Sequence, residues 1–267
     1  MSTQDIDVNG KINTSTVFEH PLSERVRLLL RLEQFFKRLA FHLEKDSIWD
    51  THAAISVLLR LVDACSRSDL KGELIIELNR QKDCMLRKHA RPYQHLIQAT
   101  TEELSTLIEK LIDHDGRLGN HLKSNDFLQN VQQRCFSSND SNIVGLPIYQ
   151  LWLDLPPEKR RSNLLNWLMP FKLLEASVTT SLANIRSNQE KLSLEASKGY
   201  FHQTFTNDQM RECQIIQVQC DDDIGVFPKL SAGKHGMSIQ FYAWDMEATA
   251  SQRSKKDVHF TITFCGV

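Results

Sequence analysis

Residues 17–33 read VFEHPLSERVRLLLRLE, a short extended piece that turns at a proline and enters a long helix. Proline pre-sets the backbone angle of a helix start, and Ser23 and Glu24 suit the first turn. Large apolar residues then recur every three or four positions to about residue 45, which places them on one helical face: Leu28, Leu32, Phe35, Leu39 and Leu43. The stretch therefore predicts an amphipathic helix that packs against other helices.

The same helical spacing continues through most of the chain. It predicts further helices at residues 49–66, 69–89, 100–113, 124–135, 147–154, 158–169 and 171–190. Prolines separate several of them, because proline disfavours a helical residue before it and lacks the backbone donor of a helix interior. We therefore expect the first part of the chain to be a helical bundle.

Beyond about residue 198 apolar and polar residues alternate, most clearly in 215–220, 237–242 and 258–264. This period predicts half-buried strands, which we expect to form an antiparallel meander. Helices first and strands last favour an α+β fold. We expect a flexible polar tail over residues 1–15, a helical domain over 16–195 and an antiparallel β-strand domain over 196–267. Residues 16–20 could join the sheet as a strand.

Composition excludes several classes of function. The 267 residues carry 32 basic and 33 acidic side chains, a net charge of -1, so no global charge favours nucleic acid or an anionic membrane. No apolar run approaches the ~18–20 residues of a membrane span, and the polar start lacks a signal peptide. Six cysteines without a CxxC pair are typical of reduced cytosolic thiols. The sequence thus predicts a cytoplasmic protein.

Enzyme signatures are missing from the sequence. It contains no GxSxG elbow, HExxH motif, phosphate-binding glycine loop or GxGxxG fingerprint, and its ten histidines show no metal-ligand spacing. Asp221–Asp223 followed by Gly225 resembles a cation loop, but Ala232 stands where an EF-hand needs glutamate, which favours a hairpin turn. We expect no catalytic residues, metal or cofactor, although an enzyme with an unrecognised site stays a minor alternative.

A row of polar residues flanks the apolar face of the first helix. Arg27, Arg31, Gln34 and Arg38 are spaced four, three and four apart, so they share one stripe. The stripe could be an ordinary solvated face, neutralised by Glu24 and Glu33. It could also hold an acidic peptide, since a planar guanidinium binds a carboxylate through two hydrogen bonds.

Other basic residues could extend that surface. Arg67 lies where the second and third predicted helices meet, and Lys234 lies in a predicted turn of the sheet. Basic residues are common at helix ends and turns, so a structural role is at least as well supported for both. Nucleic-acid binding is a weaker alternative, because most aromatic residues fall on apolar faces where core packing explains them: Phe35, Phe36, Trp152, Trp167 and Phe241.

Short motifs along the whole chain occur in the order and spacing of one bacterial family. They are residues 17–33, Asp63, Arg67, Glu73-Leu74, Glu77-Leu78, Arg80-Gln81, Gly119, Leu122, Leu146-Pro147, Trp152-Leu153, Leu155-Pro156, Trp167, Gly199-Tyr200-Phe201, Phe227-Pro228, Ser231 and Phe241. Over about residues 16–265 the chain resembles the ZapD family of division proteins, which cross-link filaments of the tubulin-like protein FtsZ.

The resemblance implies a helical domain joined to a β-strand domain, assembled as a homodimer. It implies a protein without enzymatic activity that binds the C-terminal tail of FtsZ and bundles FtsZ filaments at the mid-cell division site in the cytoplasm. A twofold dimer would carry two copies of one peptide site, and many weak tail contacts along polymers would give avidity. The alternative is a helical scaffold for a different cytoplasmic partner.

The resemblance also implies candidate tail-binding residues. Arg31 matches a basic residue of the family's tail-binding surface, Arg67 and Lys234 match less closely, and Arg27 and Arg38 lie beside Arg31 on the stripe. Basic or histidine side chains are expected at four positions where this chain has none: Asp126, Gln150, Gly236 and Gln240. Either the tail recognised here has a different charge, or neighbouring cations compensate: Arg27, Arg38, Lys123 and Lys234.

Overall fold

The computed structural model describes residues 2–6, 12–67, 69–87, 94–136, 146–187, 189–204, 212–220, 225–233, 236–243 and 250–267. The chain divides into two compact units. One, the helical unit, comprises residues 28–182, and the other, the β unit, combines residues 1–27 with residues 183–267. The α+β class expected from the sequence is confirmed.

Most helices begin and end within three residues of their predicted positions, but α4 begins six residues before its predicted start and α5 ends four residues before its predicted end. They are α1 Glu24–Leu43, α2 Ile48–Arg67, α3 Leu70–Arg87, α4 Gln94–Asp113, α5 Asp126–Val131, α6 Pro147–Leu153, α7 Pro157–Leu168 and α8 Lys172–Ser187. At the start of α1 the Ser23 hydroxyl accepts a hydrogen bond from the Val26 amide at 3.2 Å, as an N-cap residue does. A turn of π-helix, Gln132–Phe136, continues α5.

The core of the helical unit is built around α2. This helix buries an almost continuous set of side chains: Thr51, Ala54, Ile55, Val57, Leu58, Leu59, Leu61, Val62, Ala64 and Cys65. Removing this apolar surface from water contributes roughly 25 cal/mol per Å² to folding. A cluster of rings, Phe127, Tyr149, Trp152 and Trp167, packs at centroid distances of 5.5 to 6.1 Å between α5, α6 and α7.

A buried arginine ties the end of α6 to the α1–α2 connection. Arg160 of α7 donates to the carbonyl oxygens of Leu153, Leu155 and Asp46 at 2.6, 2.8 and 2.6 Å. Its Nε donates to the Thr51 hydroxyl at 3.2 Å. These bonds satisfy a guanidinium that is 4% exposed, which is the condition for burying a charge.

The β unit contains two antiparallel sheets. Its strands are β1 Ser2–Ile6, β2 Ile12–Pro21, β3 Gln189–Ala196, β4 Tyr200–Thr204, β5 Cys213–Cys220, β6 Val226–Gly233, β7 Gly236–Ala243, β8 Gln252–Arg253 and β9 Val258–Gly266. The larger sheet has the order β1-β2-β5-β9-β3, and the smaller has β4-β7-β6 with β8 also paired to β7.

The two sheets share one apolar core. Ile216, Val218, Phe260 and Ile262 come from the larger sheet, and Ile239 and Phe241 come from the smaller. The Phe241 and Phe260 rings lie 5.2 Å apart. The buried face of β5, β7 and β9 is therefore the one that the alternation of apolar and polar residues predicts.

Three sequence expectations differ from the structure. The strands do not form a simple meander, because β5 pairs with β2 and β9 while β6 pairs with β7. Residues 2–6 and 12–15, expected in a flexible tail, lie in the antiparallel pair β1 and β2, whose backbone hydrogen bonds need no large apolar side chains. The β unit resumes at residue 183 rather than 196, and β3 begins at Gln189. The predicted turn at Asp221–Asp223 lies outside the described residues.

Candidate functional site

The polar stripe of α1 is exposed along its length. Arg27, Arg31, Gln34 and Arg38 all point to solvent, while the opposite face of the helix is buried through Val26, Leu29, Leu32, Phe35, Phe36 and Leu39. The apolar face fixes the rotation of the helix, so the stripe faces outward as a consequence of the same residue spacing.

Only part of the stripe is neutralised by neighbouring acids. Arg27 forms an ion pair with Glu24 at 3.4 Å, but both side chains are mostly exposed, so the pair is weak. Glu33, the other expected partner, instead binds Lys37 at 2.9 Å. Arg31 and Arg38 form no ion pair with any described residue. Their charges are therefore available to an anion outside the chain.

Packing supports the side chain of Arg31. Its guanidinium carbon lies 5.4 Å from the centre of the Phe35 ring, a cation–π contact with a buried aromatic residue. Such a contact restrains the guanidinium plane without using its hydrogen-bond donors. Arg31 can therefore offer its planar donor pair to a carboxylate with less loss of side-chain entropy than a freely moving arginine.

The remaining candidate residues are less well defined. Arg67 is the last residue of α2, but its side chain lies outside the described part of the structure, as does Lys234 altogether. Lys123 is exposed and helps to line a pocket together with Leu59, Val62, Leu122, Leu128, Gln129, Gln132 and Gln133. The structure therefore assembles Arg27, Arg31 and Arg38 on one helix and leaves the placement of Lys234 open.

Sequence reasoning missed a second polar surface, on the outer face of the smaller sheet. Phe227 pairs with Tyr242, which pairs with Arg253, and Lys229 pairs with Gln240, which pairs with Tyr200. Directly paired residues share a face, and these side chains point away from the core residues Ile239 and Phe241. The alternation of β7 was visible in the sequence, but β4 and β6 were not assigned as strands.

Burial shifts the pKa of several groups among the described residues. Burial, and secondarily the charge of Arg27, lower the pKa of His20 below 6.5. Burial raises the pKa of the Cys65 and Cys213 thiols to about 12, so neither is an activated nucleophile at neutral pH. In the described parts of the chain, no group of three or more His, Cys, Asp or Glu side chains could hold a metal ion. No described helix is both long and apolar enough to cross a membrane.

Comparison with known proteins identifies the family. The family model ZapD, described as a cell division protein, matches residues 30–240. The chain belongs to the ZapD family. It is 31% identical to the cell division protein ZapD of Nitrosomonas eutropha over 252 residues, which cover 94% of this chain and 99% of that relative.

Two further ZapD proteins show the same full-length match. The chain is 30% identical to ZapD of Nitrosomonas europaea over 261 residues, covering 97% of this chain and 98% of the relative. It is 33% identical to ZapD of Chromobacterium violaceum over 250 residues, covering 93% and 98% respectively. These relatives are named for cell division and not for an enzymatic reaction, and the resemblance seen in the sequence is confirmed.

Several residues that carry the ZapD resemblance have structural roles. Gln81 of α3 is buried and donates to Glu77 Oε1 at 3.0 Å and to the Ser181 hydroxyl of α8 at 2.7 Å. Glu77, 2% exposed, also binds Arg80 at 2.9 Å. Because a buried carboxylate needs such partners, this motif stabilises the packing of α3 against α8 rather than forming a binding surface.

The positions where ZapD proteins are expected to be basic fall into two groups. Asp126 and Gln150 are exposed in α5 and α6, where a longer side chain would meet no obstacle from burial. Gly236 is different, because a Cβ there would lie 2.6 Å from the Gln203 carbonyl oxygen. Gln240 donates to the Gly199 carbonyl at 2.9 Å. The local backbone of the β unit therefore disfavours a basic side chain at Gly236, and Gln240 is held by a structural bond.

Proposed function

We propose that this chain binds the acidic C-terminal tail of FtsZ and cross-links FtsZ filaments, promoting assembly and stability of the division ring. Membership of the ZapD family carries the proposal, because the match extends over nearly the full length of three relatives named as cell division proteins. The chemistry of the exposed α1 stripe also supports the proposal. Two of its arginines have no anionic partner among the described residues, as a surface that receives an acidic peptide requires.

The contacts can be assigned by residue. Arg31, restrained by Phe35, binds a tail carboxylate through two guanidinium donors. Arg27 and Arg38 lie one and two turns away on the same helix and attract the rest of the acidic segment. Arg67 and Lys234 stay candidates that extend this surface. Apolar side chains of the tail would contribute the remaining affinity by leaving water.

Cross-linking follows if the chain is a homodimer. A twofold pair presents two copies of the tail site, so one dimer can hold two filaments. Each contact can be weak, because many tails along a polymer raise the effective concentration of the next binding event. On this proposal the protein acts in the cytoplasm at mid-cell, without a cofactor, nucleic acid or membrane as partner and without catalysing a reaction.

Co-sedimentation with polymerised FtsZ tests the function directly. FtsZ from the same organism is polymerised in full-length form and without its last ~15 residues, a length typical of extended peptide ligands. We expect this protein to pellet with full-length filaments and bundle them, and to stay in the supernatant with the truncated form. A pellet that is the same with both forms would overturn tail recognition. No pelleting with either form would favour a scaffold for a different partner.

The charge of Arg31 is tested separately. Arg31→Glu should abolish pelleting while the far-UV circular dichroism is kept and the Tm changes by no more than ~3 °C, because only an exposed cation–π contact is lost. Lys159→Glu is the matched control, an exposed helical cation in the first turn of α7 where a glutamate is favourable. Binding that survives both Arg31→Glu and 1 M salt would exclude the electrostatic contact.

A further inference from the structure

The outer edge of β3 lies open at one side of the larger sheet. β3 pairs with β9 along all eight of its residues, and it is the last strand in the order of that sheet. From Gln189 to Glu195, its outward-facing backbone groups have no backbone partner among the described residues. A strand edge with free N–H and C=O groups is a template for pairing with another strand.

β3 also lacks features that protect the edges of the smaller sheet. β6, one of those edges, contains Pro228, and β4, at the other side, has five residues. Proline, bulges and short strands are common ways of preventing edge-to-edge pairing. β3 contains no proline, and its pairing with β9 shows no register shift. The edge of β3 is therefore well suited to receive another strand.

The residues of β3 select one antiparallel register with a second copy of the same strand. Directly opposed residues lie on the same face of a sheet, so the twofold axis of such a pair passes through a residue and not between two. An axis at Ser193 opposes Lys191 to the partner's Glu195 and Leu192 to the partner's Leu194, and symmetry repeats both pairs. With the axis at Leu192 or Leu194, neither kind of pair forms.

The side chains of these pairs are available to a second copy. Lys191 and Glu195 are exposed, Lys191 has no ion-pair partner among the described residues, and Glu195 lies 3.8 Å from an exposed His259, which is a weak contact. Leu192 and Leu194 lie half-buried on the opposite face, against the core that the two sheets share. A second copy would remove more of their apolar surface from water, and the ion pairs would form on the other face.

We propose that two copies of this chain associate by pairing their β3 strands antiparallel about Ser193, so that the two larger sheets become one continuous sheet. The contact supplies about six to eight backbone hydrogen bonds, in addition to the symmetric Lys191–Glu195 and Leu192–Leu194 pairs. This proposal deepens the proposed function and rests on it for its consequence, because cross-linking of filaments needs two tail sites in one particle.

Sedimentation velocity of the full chain at about 1–100 µM, a range around micromolar affinity, measures this association. Lys191→Glu and Glu195→Lys should each weaken it about tenfold or more, because each variant opposes like charges at two symmetric positions. Lys256→Glu is the matched control, an exposed lysine between β8 and β9, and should change association less than about twofold. Circular dichroism and Tm establish that each variant is folded.

A charge swap distinguishes strand pairing from damage to the fold. The double variant Lys191→Glu/Glu195→Lys opposes unlike charges again, and so does an equimolar mixture of the two single variants. Both samples should associate within about threefold of the wild type, since the two substitutions are coupled across the interface. Failure of both samples to recover would overturn the register about Ser193.

The outcomes separate this proposal from the proposed function. A wild type that stays monomeric at about 100 µM, or a dimer that persists in every variant, would overturn pairing through β3. Binding of a labelled FtsZ tail peptide is a property of one chain, so it should be unchanged in the β3 variants. If the wild type dimerises through β3 but binds no tail peptide, only the proposed function fails. Monomeric variants that bind the peptide but no longer bundle FtsZ filaments would support both proposals.

Discussion

Arg186 near the end of α8 holds both carboxylate oxygens of Glu19 in β2, with Nε and Nη2 donating at 2.8 and 2.7 Å. Both side chains are about one-quarter exposed, and Gln217 of β5 donates to the same carboxylate at 3.0 Å. The N-terminal strand is therefore joined to a helix that lies more than half the chain away in sequence. Bidentate pairs of this kind are the stronger class of ion pair.

A double-mutant cycle should measure that link. We expect Glu19→Gln and Arg186→Gln each to lower the free energy of unfolding by about 1–2 kcal/mol, with a coupling energy near 1 kcal/mol, from urea unfolding followed by circular dichroism. The exposed pair of Glu24 and Arg27 is the control, and its coupling should stay below about 0.5 kcal/mol. Equal coupling in the two cycles would contradict the special role of the bidentate pair.

Substituting two glycines of the helical unit should distinguish the cost of backbone strain from the cost of a steric clash. Gly116 and Gly119 have similar positive φ angles, 72° and 79°, but only Gly119 has a near neighbour, since a Cβ added there would lie 2.9 Å from carbons of the Phe171 ring. Gly116→Ala should cost about 1 kcal/mol from strain alone. Gly119→Ala should cost about 2–4 kcal/mol, because the buried Phe171 ring must also move. Thermal unfolding of the two variants side by side checks the difference, and equal losses would contradict it.

His52 should make stability depend on pH. Its ring nitrogen lies 2.8 Å from the Tyr149 hydroxyl, and burial lowers the pKa of His52 below 6.5. The unfolded chain then binds more protons than the folded one between the folded pKa and 6.5, so stability falls as the pH drops through that window. His52→Gln should flatten this dependence between pH 5.5 and 7.5 in urea unfolding. Parallel curves for wild type and variant would show that His52 is not responsible.

A substitution at Gln150 should strengthen binding of the FtsZ tail rather than weaken it. It is exposed on α6, at a position where the family is expected to be basic. Gln150→Arg should tighten binding of the FtsZ tail about two- to fivefold, and the gain should disappear in 1 M salt, where the screening length falls to about 3 Å. Gln150→Glu is the matched control and should weaken binding. Identical affinities for the two variants would place Gln150 outside the tail-binding surface.

The helices were predictable because their signal is local. The apolar spacing in α1, α2 and α7 repeats within a few residues, and the observed bounds fall within two residues of those expected. Residues 189–195 were expected in the helical domain, and this segment of β3 does contain helix-favouring Glu, Lys and Leu. Pairing with β9 along its whole length overrides that preference. Strand order was not readable, since β2 and β5 are joined only by distant pairing.

The candidate surfaces likewise include features that the sequence could predict and features that it could not. Helical periodicity alone placed Arg27, Arg31 and Arg38 on one exposed stripe of α1, as the structure has them. It could not show that Glu33 binds Lys37, because that choice depends on side-chain rotamers. The polar surface on the outer face of the smaller sheet could not be predicted, because Tyr200, Lys229 and Arg253 come from three separate strands and only the register with β7 brings them together.

The order of strands has a consequence during synthesis. β2 leaves the ribosome early, but its partner β5 follows only after the entire helical unit has been made. β9 comes later still and lies between β5 and the edge strand β3 in the larger sheet. A chain that stops before Val258 thus leaves β3 without its partner and exposes one edge of β5, and unpaired strand edges promote aggregation. The helical unit can therefore fold while translation continues, whereas the larger sheet of the β unit can be completed only after β9 has been translated.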